Sequence, residues 1–160
     1  MESVPFLKIA AVSSVLSLAF VAYLARYVLS RPQGNETMAR ISKLVQEGAG
    51  AFLRREYRYV FTFVVVIAII ISVLGQMSAE LAASSFGWRT ALAFIVGAVA
   101  SSIAGFLGMY IATRSNSRTA AAAESGGTPG ALDVAISGGA VMGMGVVGVA
   151  LLGLIIVYFV

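Results

Sequence analysis

Cysteine and histidine are both absent from this 160-residue chain. Their absence removes disulfides, thiolate nucleophiles, imidazole general bases and zinc sites together. Charge is also scarce: 11% of residues are Asp, Glu, Lys or Arg, against 59% hydrophobic. A soluble domain carries about 25% charged residues. The mean hydropathy of +0.94 points the same way. The net charge of +4 does not indicate nucleic acid, because the basic residues flank long apolar runs, where the positive-inside rule puts them.

What is present is a set of those apolar runs. Val134 to Val160 carries no charge and is longer than the roughly 20 residues that carry a helix across a hydrocarbon core. It reaches Val160 with no polar tail or cap, so a longer polypeptide is expected. The N-terminal run, Ile9 to Ala25, exceeds the roughly 7–15 residues of a signal-peptide core. Arg26 and Arg31 follow it, as they follow a retained span. The expected fold is all-α and integral to the membrane, with four transmembrane helices over about 5–29, 59–77, 88–113 and 132–160. Residues 1–160 then form part of a single transmembrane domain, and the lipid bilayer is their first partner. Arg26, Arg31, Arg40, Lys43, Arg54, Arg55 and Arg58 lie between the first two spans, and Arg114 and Arg118 between the last two, whereas the opposite side has only Lys8 and Arg89. Both long connections are therefore expected in the cytosol and both termini outside.

The first connection has structure of its own. Arg31-Pro32-Gln33-Gly34-Asn35 is a break, with Asn35 placed as an N-cap and Glu36 in the first turn, where the macrodipole favours an acid. Met38, Ile41, Val45, Gly48 and Phe52 then recur at helical spacing. One helix is predicted from Glu36 to Leu74, roughly 58 Å long; about 36–58 would be a cytosolic extension of the second span. Arg114 to Gly130 reads as a small, polar connection, with Thr128 as an N-cap and Pro129 at the first helical position.

The spans differ in surface. The second, rich in Val, Ile and Phe from Val60 to Ile71, has almost no small-residue face and reads as lipid-facing. On the third, Ala93, Gly97, Ala100, Ser101, Ala104, Gly105, Gly108 and Ala112 fall within about 140° of one another, a face for close helix packing. On the fourth, Gly139-x-x-x-Gly143 has the GxxxG form, while Gly138 and Gly145 point elsewhere, implying close neighbours on two sides.

Chemistry has little to stand on. The carboxylates are Glu2, Glu36, Glu47, Glu56, Glu80, Glu124 and Asp133, none inside a span core, where an ion path needs them. They do not cluster as a magnesium–phosphate site requires. Arg54, Arg55 and Arg58 read as an anchor to lipid headgroups beside Tyr57 and Tyr59; an anionic substrate site is the sharper and less favoured reading. Asp133 reads as a helix-start acid rather than a metal or substrate contact. No catalytic, substrate-binding or metal-binding residue is assigned, and no cofactor is expected on this chain.

Gly34-Asn35-Glu36-Thr37-Met38, then Gln46-Glu47-Gly48-Ala49-Gly50-Ala51-Phe52-Leu53-Arg54-Arg55-Glu56-Tyr57, resembles the first cytosolic segment of membrane-bound inorganic pyrophosphatases. Gly105-x-x-Gly108-Met109, Ser117-Arg118-Thr119-Ala120, Ala131-Leu132-Asp133-Val134-Ala135 and Gly138-Gly139-Ala140-Val141-Met142-Gly143 extend the resemblance in order and spacing from about Gly34 to Gly153. It implies the N-terminal scaffold segment of a pump of about sixteen helices. Such a pump hydrolyses magnesium pyrophosphate and moves protons or sodium ions. These first helices would lie in the outer layer, with the remaining helices as partners and a homodimer as the assembly. The Asp-rich motif DxGADLxGKxE of the family is absent here, so no catalytic residue carries over and the chain alone is expected to be inactive. Where relatives often have Lys or Arg before Ala-Leu-Asp, this chain has Gly127-Thr128-Pro129-Gly130. The alternative is a small non-enzymatic four-helix membrane protein that binds partners through its third and fourth spans. A solute-transporter fragment lacks a broken helix or a polar midplane group in its favour.

Overall fold

The computed structural model of the chain describes residues 3–77 and 86–159. Among these the structure is helical, with no strand. Glu2, Glu80 and the connection between the second and third runs lie outside the described residues.

Helix α1 spans Ser3–Ser30 and α2 spans Glu36–Leu74, the latter the single long helix that its periodicity predicts. Asn35 caps it as expected: the Asn35 side chain accepts a hydrogen bond from the Met38 N–H, and Glu36 sits in the first turn. At its far end the Gly75 N–H still donates to Ile71 O, but the Gln76 and Met77 N–H groups donate to Val73 O and Leu74 O, a tightening to three-residue spacing with which the helix ends at Leu74.

Element α3 spans Phe86–Phe159. At about 1.5 Å per residue, 74 residues would reach roughly 110 Å, far beyond any bilayer. One residue resolves this. Gly127 has φ 61 and ψ −158, a conformation open essentially to glycine alone, and the chain reverses there. Arm 86–126 and arm 128–159 run antiparallel: a side chain added at Gly138 would meet Ser115, one at Gly108 would meet Met142, and one at Gly153 would meet Ala100.

The polar connection expected over 114–130 is therefore helical as far as the turn. Ala120 to Ala123 are the strongest helix formers, and no Gly or Pro stands between Arg114 and Gly126. Pro129 falls in the first turn of the second arm, where a missing N–H costs nothing. The Thr128 side chain makes no hydrogen bond among the described residues, so it does not cap that arm.

Helices α1 and α2 both pack on α3 and, among the described residues, not on each other. α1 lies antiparallel to arm 128–159. Ser14 Oγ donates to Gly148 O at 2.8 Å and Ser17 Oγ to Met144 O at 2.7 Å. Val21, Leu24, Ile111 and Val141 form the buried cluster beside them. α2 lies antiparallel to arm 86–126, with Ser42 Oγ on Thr113 O at 3.4 Å and Tyr57 Oη on Ser102 O at 2.6 Å. α1 therefore meets both arms, since Ile111 of that cluster belongs to arm 86–126.

The close neighbours of the glycines differ from the motif. Gly145 and Gly148 face Val21 and Leu18 of α1, and Gly138 and Gly153 face the other arm, whereas nothing lies within 4 Å of a side chain added at Gly139 or Gly143. The small-residue face of the first arm is only partly used: Ala104 and Gly108 are buried, and Gly97, Ser101, Gly105 and Ala112 are exposed.

These approaches sort the glycines into tight and open positions. Gly148→Ala places a methyl 2.9 Å from Leu18 and 3.3 Å from Ser17, so it should push α1 off the arm and strain the Ser14 and Ser17 hydrogen bonds. A loss of about 1–3 kcal/mol is expected, read as the unfolding midpoint in detergent. Gly143→Ala, with open space around it, should leave that midpoint unchanged.

Candidate functional site at the end of α1

The polar groups gather at one end of the bundle. The carbonyls of a helix's last turn have no partner within the helix, and α1 has no basic residue in its last turn. Ser30 Oγ donates to Tyr27 O at 2.7 Å, and the Arg31 N–H donates to Val28 O at 3.2 Å. The remaining acceptors are met from α3. Arg118 donates from Nη2 to Leu29 O at 3.2 Å, from Nε to Arg31 O at 3.0 Å, and from Nη1 to Arg114 O at 2.6 Å. A single guanidinium thus bridges two helices and supplies the positive charge that the C-terminus of α1 attracts.

Arg118 is buried, at 7% exposure. Burial first, and then the charge of Arg114, lower its pKa; an arginine starts high enough to remain protonated in a protein regardless. Arg114 itself turns away, with its guanidinium 3.5 Å over the Tyr110 ring and Nη1 on Tyr110 O at 3.1 Å.

Beside this clamp lies Asp133. Tyr27 Oη donates to Asp133 Oδ2, Arg31 donates to Tyr27 Oη, and Arg31 Nη2 lies 3.6 Å from Asp133 Oδ2. The Arg31 guanidinium stacks 4.3 Å over the Tyr27 ring. Asp133 therefore sits in the opening turns of arm 128–159, as its sequence position implies, and is engaged by Tyr27 of α1 and by Arg31 just after that helix. Arg31, Arg118, Ser125, Gly126, Gly130 and Asp133 line part of a recess of about 180 Å³ beneath the turn.

Arg54, Arg55 and Arg58 are exposed, and no ion pair to any of them is found among the described residues. They are not drawn into the Asp133 cluster, which lies at the opposite flank. Among the described residues no three Asp, Glu, His or Cys side chains come close enough to hold a metal, and Asp133 is already paired. What the junction can do chemically is hold geometry: it joins the end of α1 to the turn of α3. The sequence pattern does not name Arg118 as the cap of another helix; the signal is an α1 terminus with no cation in its last turn.

Residues 15–160 match the inorganic H+ pyrophosphatase family. The chain belongs to that family. It is 41% identical over 152 residues to the K(+)-insensitive pyrophosphate-energized proton pump of Pyrobaculum aerophilum, covering 95% of this chain and 20% of the relative. It is 39% identical over 144 residues to the pump of the same description from Methanosarcina mazei, covering 90% and 20%. It is 40% identical over 147 residues to the K(+)-stimulated pyrophosphate-energized sodium pump of Thermotoga maritima, covering 91% and 19%. The chain thus spans about one fifth of the length of these curated relatives.

Within this pyrophosphatase-family chain the two charged contacts should differ in weight. Arg118→Ala leaves the Leu29 and Arg31 carbonyls without their donor at a part-buried junction and should cost about 1–2 kcal/mol. Arg118→Lys should recover only part of this, because an ammonium cannot span carbonyls on two helices at once. The Arg31–Asp133 pair has side chains 42% and 57% exposed, so Asp133→Asn should cost less than about 1 kcal/mol and its effect should shrink in high salt. Denaturant midpoints in detergent, at low and high ionic strength, read both.

Proposed function

We propose that this chain is the N-terminal four-helix scaffold segment of a pyrophosphate-energised ion pump. The intact pump would hydrolyse inorganic pyrophosphate with magnesium and couple that reaction to the movement of protons or sodium ions. The observation that carries the reading is the family match over 15–160 together with relatives that are pyrophosphate-energised proton and sodium pumps. The coverage of about one fifth of their length accords with a segment whose catalytic partners lie elsewhere in the polypeptide.

On this reading the two arms of α3 are the third and fourth of four spans, set in a larger bundle of about sixteen helices. The apolar length of each helical element supports membrane insertion. The end of α1, the start of α2 and the turn at Gly127 meet at one end of the bundle, where Arg118 reaches Leu29 and Arg31. The Gly75–Gly87 approach closes the other. That grouping supports both long connections facing the cytosol and both termini facing out. Magnesium, pyrophosphate and the homodimer interface belong to the intact pump; these 160 residues would contribute shape and topology, with no catalytic, substrate-binding or metal-binding residue among them.

The purified 160-residue chain should release no phosphate from magnesium pyrophosphate above the buffer rate, while the complete pump should do so; turnover by the chain alone would refute the scaffold role. Lys43→Cys and Ser125→Cys, both exposed, should react with a membrane-impermeant maleimide from the same face of sealed vesicles. Labelling from opposite faces would overturn the topology.

A further inference from the structure

The half of α2 nearest Asn35 carries an inversion. Ser42 is buried at 4% exposure, while its neighbours Ile41, Leu44 and Val45 are 53%, 61% and 43% exposed and Phe52 is 57% exposed. The apolar line read from the sequence is therefore not the line that packs on α3. On a helical wheel Ile41, Leu44, Val45, Gly48 and Phe52 fall within about 100° of one another. Ser42 and Tyr57, which bond to the arm, point roughly 110–170° away from the middle of that stripe. A third face carries Arg40, Lys43, Glu47, Arg54 and Arg58. This stretch of α2 has one face for its neighbour, one for water and one apolar face left largely open; only Phe52 at its end also lines the groove between α2 and α3.

Lipid does not suit that apolar face. α2 is one continuous helix from Glu36 to Leu74, so this half cannot lie flat along the bilayer while the other half crosses it. The charges along the adjacent face, from Arg40 to Arg58, hold the same turns in water, since each would be costly at a lipid-facing depth. A second copy of the chain is disfavoured by size. Four large side chains and a glycine offer a few hundred Å², against roughly 800 Å² per partner in a stable complex. A patch this small is held well only when its partner is covalently tethered and the effective concentration is high. The relatives supply the length for such a partner, since this chain accounts for about one fifth of each.

We infer that the Ile41–Phe52 stripe is a docking face, outside the bilayer, for an apolar helix face from the remaining four fifths of the same pump polypeptide. The inference rests on the pump reading. Gly48, with nothing within 4 Å of a side chain added there, lets the incoming backbone approach closely at the middle of the stripe. Arg55 closes the stripe at the end nearer the span.

The test uses single-cysteine variants, for which the natural chain offers a cysteine-free background. Ile41→Cys, Phe52→Cys and, as a control on the charged face, Lys43→Cys are made in the 160-residue chain and in the complete pump, both in detergent. Each is treated with a water-soluble maleimide and read by mass spectrometry of the peptide. Reaction at Ile41→Cys and Phe52→Cys should be at least about ten-fold slower in the complete pump than in the chain alone, as burial of an exposed position implies. Lys43→Cys should react equally in both. Equal rates at all three positions would overturn the docking face. Protection already present in the chain alone and lost on dilution would overturn it in favour of self-association. Phosphate release from pyrophosphate, measured on the same complete protein, separates the two proposals: hydrolysis with equal labelling sinks only the docking face, and protection without hydrolysis sinks only the pump.

Discussion

The reversal at Gly127 governs what every other helix can touch. Without it, α3 would be a rod far longer than a bilayer is thick, and α1 and α2 would meet it on unrelated stretches. With it, the two arms lie side by side, and each offers an outer flank to one flanking helix. α1 lies along the arm after the turn and also reaches the arm before it through Ile111 and Arg118, while α2 lies along the arm before it. The reversal rests on backbone sterics at one residue, where a φ of 61 with a ψ of −158 would carry a strain of about 1–3 kcal/mol for a side-chain-bearing residue. The Arg118 clamp stands next to this turn and fixes its partner. A turn that brings the arms together also brings Arg118 under the C-terminus of α1.

The contacts that cross between helices repeat one chemical form. Ser14, Ser17, Ser42, Tyr57 and Arg118 each donate a hydrogen bond to a main-chain carbonyl of another element. A helical carbonyl already accepts one bond and keeps a second lone pair free. A hydroxyl in apolar surroundings therefore finds an acceptor on any neighbouring helix, with no matching polar side chain opposite. Each such bond inside a membrane bundle is worth only about 0.6 kcal/mol on average, so they set register more than stability. The packing itself comes from close approach, as at Gly148 against Leu18. Arg118 is the exception in weight, because it is charged, buried and shared between two helices.

The sequence carried the helices more clearly than their meeting places. Asn35, Glu36 and the three-and-four spacing fixed α2 to its observed start, since capping chemistry is local. The end of α1 before Pro32 was legible for the same reason. Residues 114–126 resemble a connection because polarity and small size mimic a loop, yet alanine propensity keeps them helical up to Gly127. The GxxxG pair Gly139 and Gly143 pointed to a contact that the described residues do not make, because a motif names a capacity for close approach and not the partner. Hydropathy places the edge of the third span near Thr113, whose carbonyl accepts from Ser42 of α2. The role of Arg118 lay beyond local reading, because it depends on a carbonyl 87 residues away in sequence.

The surfaces left over argue about completeness more strongly than composition does. A self-contained four-helix module would turn its small residues inward and its bulky ones to lipid. Here Gly97, Gly105, Gly139 and Gly143 face outward, positions where a backbone can approach and none does among the described residues. On α2 the pattern is reversed outright, with a serine buried and its isoleucine neighbour exposed. An exposed glycine line inside the bilayer gains nothing from lipid, and an exposed isoleucine beside five charged positions gains nothing from water. The proposed scaffold role accounts for both, since further helices of a pump would cover the glycine line along α3 and the apolar stripe along α2; a freestanding module needs one free face for its partner, and this chain leaves two.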